Sequence, residues 1–96
     1  MQYDFEWDPE KARQNRRKHR VSFEHGATVF RDPRAASLYD DEHSQTEDRW
    51  MTLGISAGAG LLVVHHTFEE IDATHVRIRI FSCRKATPDQ IRQYGE

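Results

Sequence analysis

Hydrophobic positions recur at every second residue near both ends of the chain and at helical spacing between them. Tyr3, Phe5 and Trp7 alternate with acids, which predicts a half-buried strand over Gln2–Trp7. Asp8-Pro9-Glu10 then opens a helix over about 9–19: Asp8 suits the cap, Pro9 suits the first helical position, and the acids lie near the positive end of the dipole. Its apolar face is thin, built on Ala12 and the stems of its neighbours. Ser22 caps a second helix on which Phe23, Ala27 and Phe30 fall at i, i+4 and i+7, and Asp32-Pro33 ends it.

The period then changes to two. Ala36–Tyr39 reads as a short strand, and Arg49–Ala57 as a longer one with Met51, Leu53 and Ile55 on one face and Trp50 and Thr52 on the other. Gly58-Ala59-Gly60 supplies a hairpin turn, Leu61–Phe68 the returning strand, and Glu69–Ala73 a second turn. Over Thr74–Cys83 the alternation is sharp: Val76, Ile78 and Ile80 inward, Arg77 and Arg79 on the opposite face. Thr87-Pro88-Asp89 caps a last helix over about 88–94. This order predicts an α+β fold, with two N-terminal helices packed on one face of an antiparallel sheet, a short C-terminal helix, and the other sheet face left free.

Length changes little in this picture: 96 residues make one domain, spanning 1–96, with a small core. The longest apolar run, Leu61–Val64, is too short to span a bilayer, and the N-terminus lacks the order of a signal peptide, so a cytoplasmic protein without a membrane is expected. Cys83 is the single cysteine, which excludes an intrachain disulfide and reads as a small packing residue. The six histidines are too scattered for a metal site, and no metal or other cofactor is expected.

Charge changes it more. The formal net charge of −2 argues against a general nucleic-acid binder, but the segments differ. Acids dominate 1–10 and 40–48, whereas 11–20 holds Lys11, Arg13, Arg16, Arg17, Lys18 and Arg20 and no acid. Taken together these six bases fall all round the helix rather than on one stripe, so they read equally as a phosphate surface and as a solvated face complementing the dipole. The last strand is more informative. Arg77 and Arg79 share the open face with no acid opposite them in the same strand, and Arg84-Lys85 follows directly. Four such cations suit a phosphodiester and the charge that develops when it reacts. His65 and His66 point to opposite faces, so only one of them can join the arginines, where it reads equally as a proton handler near neutral pH and as a hydrogen-bonded structural histidine. Glu47, two residues before Arg49 at the start of the long strand, offers a carboxylate base.

Together these residues resemble the BrnT toxins of bacterial type II toxin–antitoxin pairs. The resemblance runs through Phe5-Glu6-Trp7-Asp8-Pro9-Glu10-Lys11-Ala12, Asn15, Lys18-His19, Val21-Ser22-Phe23-Glu24, Ala27, Val29-Phe30 and Asp32-Pro33. It continues at Glu47, Arg49, Gly54, Leu61–Val64, His66-Thr67, the run Ile78–Thr87, and Tyr94. It implies a RelE-like fold and a metal-independent endoribonuclease that cuts RNA to stop translation and growth. It further implies neutralisation by a cognate BrnA-like antitoxin in a hetero-oligomer, with operator DNA reached only through that antitoxin. Carried over to this sequence, it implies Arg79, Arg84, His66 and Glu47 as catalytic candidates and Lys85, Arg77, Lys18 and Arg49 as substrate contacts. The alternative is a weak or inactive homologue that serves as an antitoxin-binding co-repressor module. This chain departs from the family pattern at Arg20, where glycine is usual, at Phe68-Glu69-Glu70, where an arginine is common, and at Gln90, where an acid is usual.

Overall fold

The computed structural model describes residues 1–95. In chain order its elements are β1 (Gln2–Glu6), α1 (Pro9–His19), α2 (Phe23–Thr28), a 3₁₀ turn (Val29–Arg31), β2 (Ala36–Tyr39) and a second 3₁₀ turn (Asp41–His43). β3 (Arg49–Ile55), β4 (Leu61–Thr67), β5 (Glu69–Glu70), β6 (His75–Lys85) and α3 (Pro88–Gly95) complete it. The α+β class is as expected. The sheet, in contrast, is mixed: its order is β1-β6-β4-β3-β2, and β1 runs parallel to β6 while the other pairings are antiparallel. Alternation identifies a strand without saying which neighbour it joins or in which direction, which is why an all-antiparallel sheet was expected.

β6 is the spine. Its first half is flanked by β1 on one side, from Gln2↔His75 to Glu6↔Arg79, and by the two-residue β5 on the other. Its second half pairs with β4. On the side where β1 stops, α1 takes over through one side chain. The Asn15 amide nitrogen donates to the carbonyl oxygen of Cys83 at 2.8 Å and to that of Val21 at 3.4 Å, while its oxygen accepts from the Cys83 N–H at 3.1 Å. Buried Asn15 therefore completes the edge of β6 as a further strand would.

Local signals place the helices. Asp8 accepts from the Glu10 N–H at 2.9 Å at the start of α1, and Ser22 accepts from the His25 N–H at 3.1 Å at the start of α2. The core lies between these helices and the sheet, where Leu62, Val64, Val76, Ile78, Ile80 and Cys83 meet Val21, Phe23 and Val29. Trp7 stands edge-on to Phe23, and Phe5 packs on Phe30. Gly54 allows the closest approach, since a Cβ there would fall 2.7 Å from Val29 Cγ1. Cys83 packs in this core, and burial raises its thiol pKa to about 12, so it is inert as a nucleophile.

The face away from α1 and α2 is only partly free. α3 covers its β2–β3–β4 end, so Ala36, Leu38, Met51, Leu53 and Val63 line a groove of about 500 Å³ beside Tyr94. Tyr94 Oη donates to Asp32 Oδ2 at 2.6 Å, and the same oxygen accepts from the Ile55 N–H at 2.8 Å. Arg34 closes the clasp by donating to the Tyr94 carbonyl at 3.0 Å, its guanidinium 5.0 Å from the Tyr94 ring.

His66 belongs to the core and not to the open face. It is 1% exposed, edge-on to Phe30, and held at both nitrogens. Thr67 O can only accept, so Nδ1 carries the proton toward it at 2.8 Å, leaving Nε2 to accept from the Thr52 hydroxyl at 2.7 Å. Thr52 in turn meets the Ser37 hydroxyl at 2.7 Å. This arrangement fits the neutral ring, and burial pushes its pKa down to about 4. The expectation that His66 handles protons beside the arginines is thereby corrected. Its parity follows Leu62 and Val64 into the core.

Two outcomes follow for stability. Asn15→Ala leaves the Cys83 N–H and C=O without partners and should cost on the order of 3 kcal/mol in urea denaturation, against less than about 0.5 kcal/mol for exposed Gln14→Ala; an unchanged midpoint for Asn15→Ala would show that the edge of β6 does not need it. His66 has a folded pKa near 4 and an ordinary unfolded one of 6.5, so the unfolded chain takes up the proton first. Stability is therefore full above that unfolded value and falls as pH drops from it toward 4. His66→Gln should flatten this slope, and equal slopes in the two proteins would contradict the assignment.

Candidate functional site

The uncovered end of the same face gathers side chains from four places in the chain. Glu47, just before β3, uses one oxygen, Oε1, to accept from Arg79 Nη2 at 2.5 Å and from Arg49 Nε and Nη2 at 3.3 and 3.2 Å. The Arg49 guanidinium lies over the Phe81 ring, 4.4 Å from its centroid. The Arg79 N–H donates to Thr67 Oγ1 at 3.1 Å, so strand pairing and clamp both locate this arginine. Arg77 stands next to it, between Glu6 at 3.9 Å and Glu69 at 3.7 Å. A cleft of about 200 Å³ there is lined by Arg77 and Arg79 among four acids, Glu6, Glu47, Asp48 and Glu69, with Thr67 and Phe68.

The hydrogen bond from Arg79 holds the Glu47 carboxyl below its ordinary range. Glu47 is thus ionised at neutral pH and a poor proton acceptor. One carboxylate against two guanidiniums leaves a net positive charge, already oriented and still partly exposed. Such an arrangement can bind a phosphate without first ordering two flexible side chains.

Phe81 reaches this face by its parity with Arg77 and Arg79, and a bulge alters the faces of the residues after it. β4 and β6 pair as His65↔Ser82 and then His66↔Ile80, so Phe81 is the extra residue. Strict alternation from Val76, Ile78 and Ile80 would carry Ser82 and Arg84 inward. The bulge instead turns Cys83 into the core and sends Ser82 and Arg84 to the open side, beside Phe81. His65 lies there too, opposite Met51 and Ser82, with its ring 6.2 Å from Phe81. Burial first, and then the charge of Arg84, lower its pKa, so the ring is neutral at pH 7 and able to accept a proton.

The structure thus brings together Glu47, Arg49 and Arg79, with Arg77 beside them. The acids facing these arginines come from neighbouring segments, Glu6, Glu47 and Glu69, which inspection of their own strand did not disclose. Arg84 is held apart, its Nη1 donating to Gln90 Oε1 at 3.0 Å and to the Lys85 carbonyl at 3.3 Å. Gln90 also accepts from the Thr87 N–H at 2.9 Å, and its own N–H donates to Thr87 Oγ1, a reciprocal cap on α3. Lys85 is exposed and, by the pleat, on the opposite side from Arg84. Lys18 lies on α1, where Lys11, Lys18, His19, Phe81 and Ser82 line a separate cleft of about 280 Å³. The sequence left His65 and His66 undecided and did not single out Phe81. The parity of Leu62 and Val64 was the available signal for His65 over His66, and the shared parity with Arg77 and Arg79 was the available signal for Phe81.

The bases of α1 also resolve into two stripes where the sequence reading had them all round. Lys11, Lys18 and His19 turn toward Phe81, and Arg13, Arg16, Arg17 and Arg20 share a separate outer surface.

Comparison with known proteins agrees with this geometry. A family model described as ribonuclease toxin, BrnT, of type II toxin-antitoxin system matches residues 7–90. The crystal structure of the Brucella abortus ribonuclease toxin BrnT, at 1.1 Å resolution, matches with a TM-score of 0.58 at 21% identity, covering 91% of this chain and 99% of that one. At that identity the likeness speaks for the fold. No curated protein matches. The family match is continuous from Trp7 to Gln90, and the chain belongs to the BrnT family of ribonuclease toxins of type II toxin–antitoxin systems.

Proposed function

We propose that the open face is the active site of a RelE-like endoribonuclease that works without a metal. The observation that carries this reading is the Glu47 clamp, which presents Arg79 and Arg49 on an exposed face alongside the neutral ring of His65. In the proposed reaction the ribose 2′-oxygen gives its proton to His65 and bonds to the adjacent phosphorus. The P–O5′ bond breaks, leaving a 2′,3′-cyclic phosphate, and the departing oxygen takes a proton from water. Arg79 and Arg49 hold the non-bridging oxygens and stabilise the charge that builds on them. Glu47 is a positioning residue for both arginines. Arg77, Arg84 and Lys18 lie where they can meet flanking phosphates, and Lys85 is assigned no part.

A toxin of this class has an antitoxin partner. In our reading that partner is BrnA-like, operator DNA is bound only through it, and the toxin cuts cytoplasmic RNA to stop translation. A second reading, an inactive module that only pairs with its antitoxin, draws on Glu6, Glu47 and Glu69, which already occupy Arg77 and Arg79.

Purified protein should cut single-stranded RNA in the presence of EDTA. Arg79→Ala should lower kcat by about 10²–10³ and His65→Ala by about 10²–10⁴, with folded circular dichroism spectra in both. As a base, His65 is active when deprotonated, so activity should rise with pH through a pKa below 6.5 and level off above it. Cleavage lost with chelator, or an unaffected Arg79→Ala protein, would refute this mechanism. Absence of both cleavage and growth arrest without the antitoxin would favour the second reading.

A further inference from the structure

α1 carries a second positive surface, facing away from the one that lines the Phe81 cleft. Arg13, Arg16, Arg17 and Arg20 stand at i, i+3, i+4 and i+7, which places them on one side of the helix. They line a shared shallow depression of about 430 Å³. Arg13 pairs with Glu10 within the helix, whereas Arg16, Arg17 and Arg20 form no ion pair among the described residues.

A run of cations in a last helical turn is accounted for by the dipole, and Arg16, Arg17, Lys18 and His19 already meet that need. Arg20 is different. It follows the helix in the left-handed conformation, φ 64° and ψ 23°, and is the only non-glycine residue with positive φ among the described residues. Glycine takes this position without strain, and a side chain does not. Among the described residues the side chain of Arg20 forms no hydrogen bond or ion pair that would offset the strain, and its backbone N–H donates to the Arg16 carbonyl at 2.9 Å. Strain kept without a folding reason points to a use for the side chain.

The composition of the surface indicates the ligand. The depression itself is lined by four guanidiniums, which match phosphates bidentately, with the acids Glu10, paired to Arg13, and Glu24 at its margin. It offers no exposed aromatic or aliphatic anchor, which a protein partner would need at the centre of its contact. Along the helix axis the four arginines span about 10 Å, enough for two or three phosphates of a strand. We infer that the Arg13–Arg16–Arg17–Arg20 face binds the phosphodiester backbone of RNA away from the bond that is cut, independently of sequence. This deepens the ribonuclease reading and rests on it for the identity of the nucleic acid.

The probe is a fluorescein-labelled 2′-O-methyl RNA of about twenty nucleotides, which lacks the attacking hydroxyl, titrated against the intact protein at several salt concentrations. Arg20→Gly should raise the melting temperature yet weaken binding, lowering the slope of log K against log salt by about one. Arg16→Gln with Arg17→Gln should lower it by about two, with little change in melting temperature. Cleavage of a trinucleotide, too short to reach this face, should be unaffected in each variant. No binding by the parent, or affinity and slope unchanged by these substitutions, overturns the proposal. So does loss of the co-expressed antitoxin on purification with RNA affinity intact, which assigns the face to the protein partner. Binding that responds to Arg20→Gly in a protein that cuts no RNA keeps this surface and removes the ribonuclease reading.

Discussion

The edge of β6 sets the terms for the rest of the molecule. A buried strand must satisfy both rows of its backbone groups, and β1 covers only the first half of one row. Beyond β1, Asn15 meets both backbone groups of Cys83 with one donor and one acceptor. This contact ties α1 to the second half of β6 in a single rotational setting. Once Asn15 faces the strand, Lys11 and Lys18 must flank it, and the arginine stripe must face solvent. The functional division of α1 is therefore a consequence of a backbone requirement in the sheet.

The bulge in β6 has a similar reach. One extra residue against β4 exchanges the faces of everything that follows, so Cys83 packs in the core and Arg84 reaches the side that Arg77 and Arg79 occupy. Phe81, the residue before the change of face, contacts the Arg49 guanidinium and lies near the ring of His65. Bulges that re-aim side chains are frequent beside active sites, and here the re-aimed residues are those of the candidate site.

Electrostatics on the open face is local. A formal charge of −2 describes no part of this surface, because acids and bases are sorted by element. Glu47 converts two mobile arginines into an oriented pair that remains net positive, and α3 removes Arg84 from that pair through Gln90. α3 is itself held by few contacts, chiefly the Tyr94–Asp32 bond and the Arg34 clasp. The open face thus has one end where arginines and acids interlock around the Glu47 clamp and another covered by the short helix α3.

Much of this was legible in residue order. Caps at Asp8 and Ser22, the alternation of Val76, Ile78 and Ile80, and the glycine turn at 58–60 located the helices and main strands, because each is decided by neighbours in the chain. The segments around Arg79 and Glu47 were likewise recognisable, and the family resemblance already lay in them. Only the tertiary structure decided that β1 lies parallel to β6, that Glu47 reaches Arg79 across 32 positions, and that His65 rather than His66 faces the arginines. It also decided that a bulge reverses the faces after Phe81. Local periodicity tells which residues share a face of their own element; which elements meet, in which direction and with what offset, is settled by burial and backbone pairing between distant segments.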